Sequence, residues 1–129
     1  MTERGLADTS VFIAREARRT VDIEAMPERL AVSVITIGEL RAGVLAATDA
    51  VTRDRRLDTL TAALSLEPIP IDVEVANAWS RLRLALRDAD LRMPVNDSWI
   101  AATAMALDVP IVTQDDDFPS LADLAVIHV

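Results

Sequence analysis

Residues 96–118 place the tightest constraint on what this chain can fold into. Small residues over 100–107 predict a helix, and the apolar run 109–112 predicts a short buried strand. An acid, Asp97, stands at the start of the helix, and an acidic run, 115–117, follows the strand. Helix starts and strand ends are the places where α/β proteins gather their functional groups. The stretch therefore predicts part of a functional site built from carboxylates.

Short apolar runs alternate with helix-like segments along the rest of the chain. Strands are predicted over residues 5–7, 30–35, 68–71, 111–112 and 125–129. Helices are predicted from Asp8 onward and over residues 36–47, 49–66, 72–88 and 97–107. This alternation favours a parallel sheet covered by helices on both faces. The predicted fold class is α/β, a three-layer α/β/α sandwich with a central, mostly parallel sheet of four to five strands.

Composition narrows the chemistry that the chain can perform. Its 129 residues suit one domain, and the 51% hydrophobic content with only 3% aromatic residues favours an aliphatic core. The chain has no cysteine, which excludes zinc ribbons and thiol catalysis. All 13 basic residues are arginine, so no lysine is available for catalysis or phosphate binding. The net charge of −8 argues against a domain that holds nucleic acid by bulk charge alone.

The sequence shows no secretion signal and no membrane-spanning pattern. The N-terminus lacks a basic segment followed by an apolar run, and no apolar run approaches the ~20 residues of a membrane helix. We therefore expect a cytoplasmic protein without membrane contact.

Four acids occupy positions that a parallel sheet would bring together. Asp8 follows the first predicted strand, and Glu39 follows the second. Asp115 follows the strand at 111–112, and Asp97 starts the helix that leads back to that strand. The carboxyl ends of parallel strands share one edge of the sheet. If the first strand lies centrally, between the second and the one at 111–112, the four carboxylates meet in one cleft.

Each acid also has an ordinary structural explanation. Asp8 can cap the first helix, Asp97 can favour a helix start through the helix dipole, and Asp115 can belong to a turn. Thr36 and Glu39 have the spacing of a capping box at the start of the second helix. These explanations weaken when the acids are taken together, because four carboxylates in one cleft repel one another.

A divalent cation is the natural partner for such a cluster in a chain without lysine. Oxygen ligands favour Mg²⁺ or Mn²⁺. A carboxylate-bound ion of this kind can generate hydroxide and stabilise the charge that develops on phosphorus. The residues therefore point first to phosphoryl transfer or phosphodiester hydrolysis, without naming a substrate.

Four motifs, in this order and spacing, resemble those of PIN-domain ribonucleases. They are ADTS at residues 7–10, TIGEL at 36–40, NDSWIAA at 96–102 and VTQDDDF at 112–118. The resemblance covers essentially the full chain, which is taken as a single PIN domain over residues 1–129. The small size and the T-x-x-E-L element make the chain look like the VapC toxins of type II toxin–antitoxin pairs.

The resemblance implies a catalytic and metal-binding site. The acids that match the family's metal ligands are Asp8, Glu39, Asp97 and Asp115. In the family they hold one or two Mg²⁺ ions, for which Mn²⁺ can substitute, and a metal-activated water cleaves single-stranded RNA.

The resemblance also implies supporting residues and raises a choice for the fourth acid. Thr113 matches a hydroxyl residue that supports the site, and Ser10 matches the polar residue after the first acid. Asp115 is preferred as the fourth acid because the family usually places it two residues after the threonine. Asp117 can substitute for it or bind the metal through water.

The resemblance also implies a biological role, that of an endoribonuclease toxin which cleaves tRNA or rRNA and inhibits translation. Its implied partners are the RNA substrate, a VapB-like antitoxin and a second copy of the chain in a homodimer. A PIN-domain RNA-processing nuclease without a toxin role and a non-catalytic binding module stay open as alternatives. A receiver-type signalling domain is disfavoured because its chemistry relies on a lysine.

Arginines near the loop before Asp97 form a candidate RNA track. They are Arg81, Arg83, Arg87 and Arg92, of which Arg83 and Arg87 lie one helical turn apart. A solvated helix face explains them equally well.

Overall fold

The computed structural model describes residues 3–129 as a chain of alternating strands and helices. The strands are β1 (Arg4–Ala7), β2 (Arg29–Ala31), β3 (Ile111–Thr113) and β4 (Val126–His128). The helices are α1 (Thr9–Glu16), α2 (Val34–Ala46), α3 (Ala50–Leu64), α4 (Val73–Asp88) and α5 (Val95–Leu107), with one 3₁₀ turn at Ile23–Ala25. No helix within 3–129 combines the length and hydropathy needed to cross a membrane.

The four strands form one sheet in the order β2-β1-β3-β4, and every pairing is parallel. The condition set out from the sequence is met, since the first strand lies between the second strand and the strand at 111–112. All four strands therefore end at the same edge of the sheet, and the switch in strand order falls beside β1.

The predicted strand at 68–71 is wrong as a strand. Only a single bridge forms there, between Ser33 and Ile69. The Ile69 N–H donates to the carbonyl of Val32 at 2.8 Å, but the prolines on either side, Pro68 and Pro70, have no N–H to extend the ladder. The sheet of the described residues therefore has four strands, the lower number of the predicted range.

The boundary between β2 and α2 also differs from the prediction. The strand expected over 30–35 ends at Ala31, because Ser33 caps the helix and accepts a hydrogen bond from the Ile35 N–H at 3.0 Å. Thr36 therefore lies inside the first turn of α2, and the capping box expected between Thr36 and Glu39 is wrong. Both side chains are free to face the carboxyl edge of the sheet.

Helices cover both faces of the sheet, as expected of a three-layer α/β/α sandwich. Side chains alternate along a strand, so neighbouring residues of β1 enter different cores. Leu6 packs in a cluster with Leu82 of α4 and Ile100 of α5. Ala7 packs in a second cluster with Val11 of α1 and Leu60 of α3. The two cores hold β1 rigidly at the centre of the sheet.

Gly5 allows this central strand to approach its neighbours closely. A Cβ at this position would lie 2.7 Å from Cγ2 of Val112 and 2.8 Å from Cγ of Pro27. Real Cβ atoms do not come so near to other heavy atoms, so glycine is required by space. The close contact sets the position of β1 and of the acid that follows it.

Candidate active site

Asp8 follows β1 directly and is both a helix cap and a buried member of the candidate site. Its carboxylate accepts a hydrogen bond from the Ser10 N–H at 3.4 Å and one from the Thr113 hydroxyl at 2.9 Å. Only 2% of Asp8 is exposed, so these bonds satisfy a polar group that is shielded from water. Both end on Oδ2, which leaves the lone pairs of Oδ1 for a ligand in the cleft.

A hydroxyl network joins the start of α1 to the end of β3. The Oγ atoms of Ser10 and Thr113 lie 3.2 Å apart. Ser10 accepts the N–H of Gln114 at 3.0 Å, and Thr113 accepts the N–H of Asp115 at 3.0 Å. These contacts give the two residues a supporting place beside Asp8, and they fix the first turn of the acidic loop.

Glu39 reaches the same region from the second turn of α2. The Thr9 hydroxyl donates to Oε1 of Glu39 at 2.8 Å and lies 2.9 Å from the hydroxyl of Thr36, which is fully buried. Thr9 had no assigned role from the sequence, and Thr36 only that of a capping-box residue, although both belong to the motifs singled out there. The Thr9 hydroxyl restrains the carboxylate of Glu39, and Thr36 contacts Thr9 from the buried side.

Asp97 lies in the first turn of α5 and is half-buried. Burial raises its pKa to about 6, and neighbouring carboxylates push the pKa in the same direction. In decreasing order of effect, these carboxylates belong to Asp8, Asp117, Glu39 and Asp115. Asp8, Glu39 and Asp115 therefore all lie near enough to Asp97 to act on its pKa, and a shared metal site stays a prediction.

The three acids after β3 behave differently from one another. Asp116 points into solvent and lies 3.7 Å from Nε2 of His128. Burial raises the pKa of Asp115, with Asp8 and Asp117 adding to the shift and Arg19 opposing it. Asp117 acts on the pKa of Asp97 more strongly than Asp115 does. Asp115 as the fourth acid thus stays a prediction, with Asp117 equally well placed.

The donor set fits a hydrated divalent ion better than a closed cage. Among residues 3–129, no three acidic, histidine or cysteine side chains stand close enough together to enclose a metal ion. Mg²⁺ keeps several waters and usually binds proteins through one or two carboxylates. Burial is the main cause of the raised pKa of Asp97, and the neighbouring carboxylates add to it. Oxygen donors that repel one another in this way suit such an ion.

The predicted arginine track lies on α4 and in the loop before α5. Arg83 and Arg87 are exposed on α4, and the guanidinium of Arg83 stacks 5.1 Å from the ring centre of Trp79. Trp79 is half-buried and stacks on Trp99, two residues after Asp97.

A parallel sheet covered by helices, with carboxylates gathered beyond its strand ends, defines the class of α/β domains that place their functional groups at the carboxyl edge of the sheet. Within that class the chain belongs to the PIN-domain family, whose model matches residues 6–124.

Two relatives and one crystal structure are similar to this chain over nearly its full length. Ribonuclease VapC5 of Mycobacterium tuberculosis is 44% identical over 125 residues, covering 97% of this chain and 93% of the relative. Ribonuclease VapC4 of the same organism is 48% identical over 126 residues, covering 98% and 97%. The crystal structure of VapBC-5, a member of the VapBC family of toxin–antitoxin systems from that organism, matches with a TM-score of 0.89 and 42% identity over 98% of both chains.

Proposed function

We propose that this protein is a divalent-metal-dependent endoribonuclease and the toxin of a type II toxin–antitoxin pair. Its membership of the PIN-domain family and its likeness to two VapC ribonucleases support the activity. The observation that carries the proposal is the electrostatic coupling of Asp97 to Asp8, Glu39, Asp115 and Asp117 at one edge of the sheet. A cation bound among these carboxylates would reduce the repulsion between them.

The residues proposed to hold the metal are Asp8, Glu39, Asp97 and either Asp115 or Asp117. Mg²⁺ is the proposed ion, and Mn²⁺ is expected to substitute because both prefer oxygen ligands. When bound, the ion supplies an activated water and positive charge for the scissile phosphate.

The chain's own contribution is to orient the carboxylates before the ion arrives. Thr113 and Ser10 restrain Oδ2 of Asp8, and Thr9 restrains Oε1 of Glu39. Partners of this kind fix the direction of metal ligands and tune their basicity. Asp97, at the start of a rigid helix, needs no loop movement to present its carboxylate.

The proposed substrate is single-stranded RNA within tRNA or rRNA, cleavage of which would inhibit translation. The carboxylates lie at an open edge of the sheet, where Asp115 and Asp117 are exposed. An open edge suits a polymer chain that passes across the site.

The proposed partners are a VapB-like antitoxin and a second copy of the chain. An apolar pocket of about 710 Å³ between α1, the 3₁₀ turn and α3 provides a surface for the antitoxin. Ile23 in its lining is 75% exposed, and Arg15, Arg18 and Arg19 add positive charge to the lining. An amphipathic antitoxin segment with acidic residues matches this chemistry.

Induced expression tests the toxin role. Wild-type protein should arrest growth, and co-expression of the neighbouring gene should relieve the arrest. The Asp97→Asn variant should be harmless at the same protein level. Growth arrest by Asp97→Asn equal to that of wild type would separate toxicity from the proposed nuclease site.

A further inference from the structure

A basic pocket lies between the last turns of α4 and the start of α5. Its volume is about 340 Å³, and its charged lining residues are all arginines. These are Arg83, Arg87 and Arg92, with Ser98 among the remaining lining residues. Arg81, on the same helix, does not line the pocket. The arginines of α4 therefore differ in their surroundings. If α4 merely presented a solvated face, its arginines would be equivalent.

Aromatic stacking holds Arg83 in place. Its guanidinium lies 5.1 Å from the ring centre of Trp79, which stacks on Trp99 with ring centres 4.4 Å apart and planes 4° from parallel. The Trp79 indole N–H donates to Ser98 Oγ at 3.0 Å, which anchors the stack to α5. A cation–π contact of this kind leaves the guanidinium N–H groups that do not face the ring available to a ligand.

Few acidic side chains among the described residues pair with the arginines of this pocket. Within 3–129, Arg83 and Arg92 form no salt bridge to a carboxylate, and Arg87 contacts only Asp88, at 3.6 Å with both side chains exposed. An exposed pair of this kind contributes little. Three arginines grouped this way in a chain of net charge −8 indicate an anionic ligand that accepts hydrogen bonds from guanidinium N–H groups.

The pocket shares the start of α5 with the carboxylate cleft. Ser98 lines the pocket, and the preceding residue, Asp97, belongs to the coupled acids. The loop that joins α4 to α5 spans only residues 89–94, so the end of α4 stays beside that start. The pocket and the coupled acids therefore meet at consecutive residues of the first turn of α5.

We propose that Arg83, Arg87 and Arg92 bind a phosphate of the single-stranded RNA chain that flanks the scissile phosphate. This inference rests on the proposed ribonuclease function and adds a substrate-positioning site to it. An RNA backbone explains both features, since it is anionic and extends from one phosphate to the next across the edge of the sheet. The arginines are binding residues and take no part in the bond cleavage.

Matched arginine variants test the proposal with a labelled oligouridylate as the probe. Arg83→Gln and Arg92→Gln should each weaken RNA binding about tenfold, measured by fluorescence anisotropy in the Asp97→Asn background. Each should reduce the slope of log K against log salt by about 0.7, the value for one single-strand phosphate contact. Arg81→Gln removes the same charge from the same helix and should change binding less than about twofold.

Steady-state cleavage in Mg²⁺ separates positioning from catalysis. The pocket variants should raise KM for RNA, because they lose binding energy that the bound substrate and the transition state share equally. The kcat at saturating RNA should stay within about twofold. Thermal melting should be unchanged, since all three arginine side chains are exposed.

Two outcomes decide against the proposal, and a third separates it from the nuclease function. Equal effects of Arg81→Gln and the pocket variants would show diffuse charge instead of a site. Unchanged RNA binding together with lost inhibition by the antitoxin would assign the pocket to a protein partner. Absence of cleavage by wild type, with the anisotropy differences intact, would overturn the nuclease function and leave the RNA site standing.

Discussion

Thr113 connects the main parts of the candidate site through one hydroxyl group. It donates to Asp8, accepts the N–H of Asp115 and lies beside the Ser10 hydroxyl. One side chain therefore restrains a buried carboxylate and the loop that carries the proposed fourth acid.

Replacing this hydroxyl by a methyl group should impair metal use more than folding. For Thr113→Val we expect a ten- to hundredfold loss of RNA cleavage and a higher Mg²⁺ requirement, as for other groups that orient metal ligands. The buried Asp8 carboxylate also loses a donor, at a cost of about 1–3 kcal/mol in unfolding free energy. Cleavage rates over a Mg²⁺ series check this, with Thr113→Ser as the control that keeps the hydroxyl. Equal rates for the valine and serine variants would contradict the role.

The raised pKa of Asp97 predicts how the metal-free protein responds to pH. Its pKa is about 6 in the folded state against 3.8 for an unperturbed aspartate, so folding favours the protonated carboxyl. This contribution to stability is fully present below about pH 4 and is lost as pH rises through 6. Solvent screening at a half-exposed group limits it to about 1 kcal/mol.

Thermal melting in EDTA measures this effect. Asp97→Asn should be more stable than wild type at pH 7, and the difference should vanish near pH 4. A lower melting temperature for Asp97→Asn at pH 7 would instead favour a structural role at the helix start.

The fourth acid can be assigned by three matched variants of the acidic loop. Asp115→Asn and Asp117→Asn each remove a carboxylate that acts on Asp97, whereas Asp116→Asn removes one that faces solvent near His128. We expect Asp115→Asn to reduce cleavage at least tenfold and Asp116→Asn to leave it within about twofold. If Asp117→Asn proves the more damaging, the assignment moves to that residue.

At the scale of the element, β1 is the strand on which the site depends. It is the shared neighbour of β2 and β3, and the residue after it is Asp8. Its place in the sheet requires Gly5, which has no room for a side chain against Val112 and Pro27.

Gly5→Ala should therefore destabilise the fold by about 1–3 kcal/mol, the usual cost of overpacking a core. Gly43→Ala is the control, because a Cβ there meets only Cδ of Arg56, at 3.9 Å. Since Gly43 lies within α2, alanine should be neutral or stabilising by up to about 1 kcal/mol. Chemical denaturation measures both values, and equal stabilities of the two variants would contradict the packing argument.

The elements that the sequence predicted well have strong end signals. Asp49 and Asp72 cap α3 and α4, and these helices begin where the sequence placed them. The end of β2 was predicted poorly because Val34 and Ile35 suit a strand as well as a helix. Ser33 caps the helix and so determines that Val34 and Ile35 are helical. The pattern of apolar residues does not show such a cap.

At the scale of the whole molecule, the sequence predicted which acids converge but not how they are supported. Convergence follows from strand order, since parallel strands end at one edge. The hydrogen bonds from Thr9 to Glu39 and from Thr113 to Asp8 join residues 30 and 105 positions apart. No local spacing rule predicts such pairs. The assignment of residues 1–129 to a single domain and the catalytic roles of the acids stay predictions.

The central claim is that the coupled carboxylates form a metal-dependent RNA-cleaving site. The most direct test compares the Mg²⁺-dependent cleavage rate of single-stranded RNA by purified wild type, Asp97→Asn and Asp54→Asn. Asp54 is exposed on α3, away from the coupled acids, so its variant controls for the change of charge. We expect Asp97→Asn to cleave at least about a hundredfold more slowly while Asp54→Asn matches wild type, and EDTA to stop all cleavage. Full cleavage by a folded Asp97→Asn protein would contradict the site.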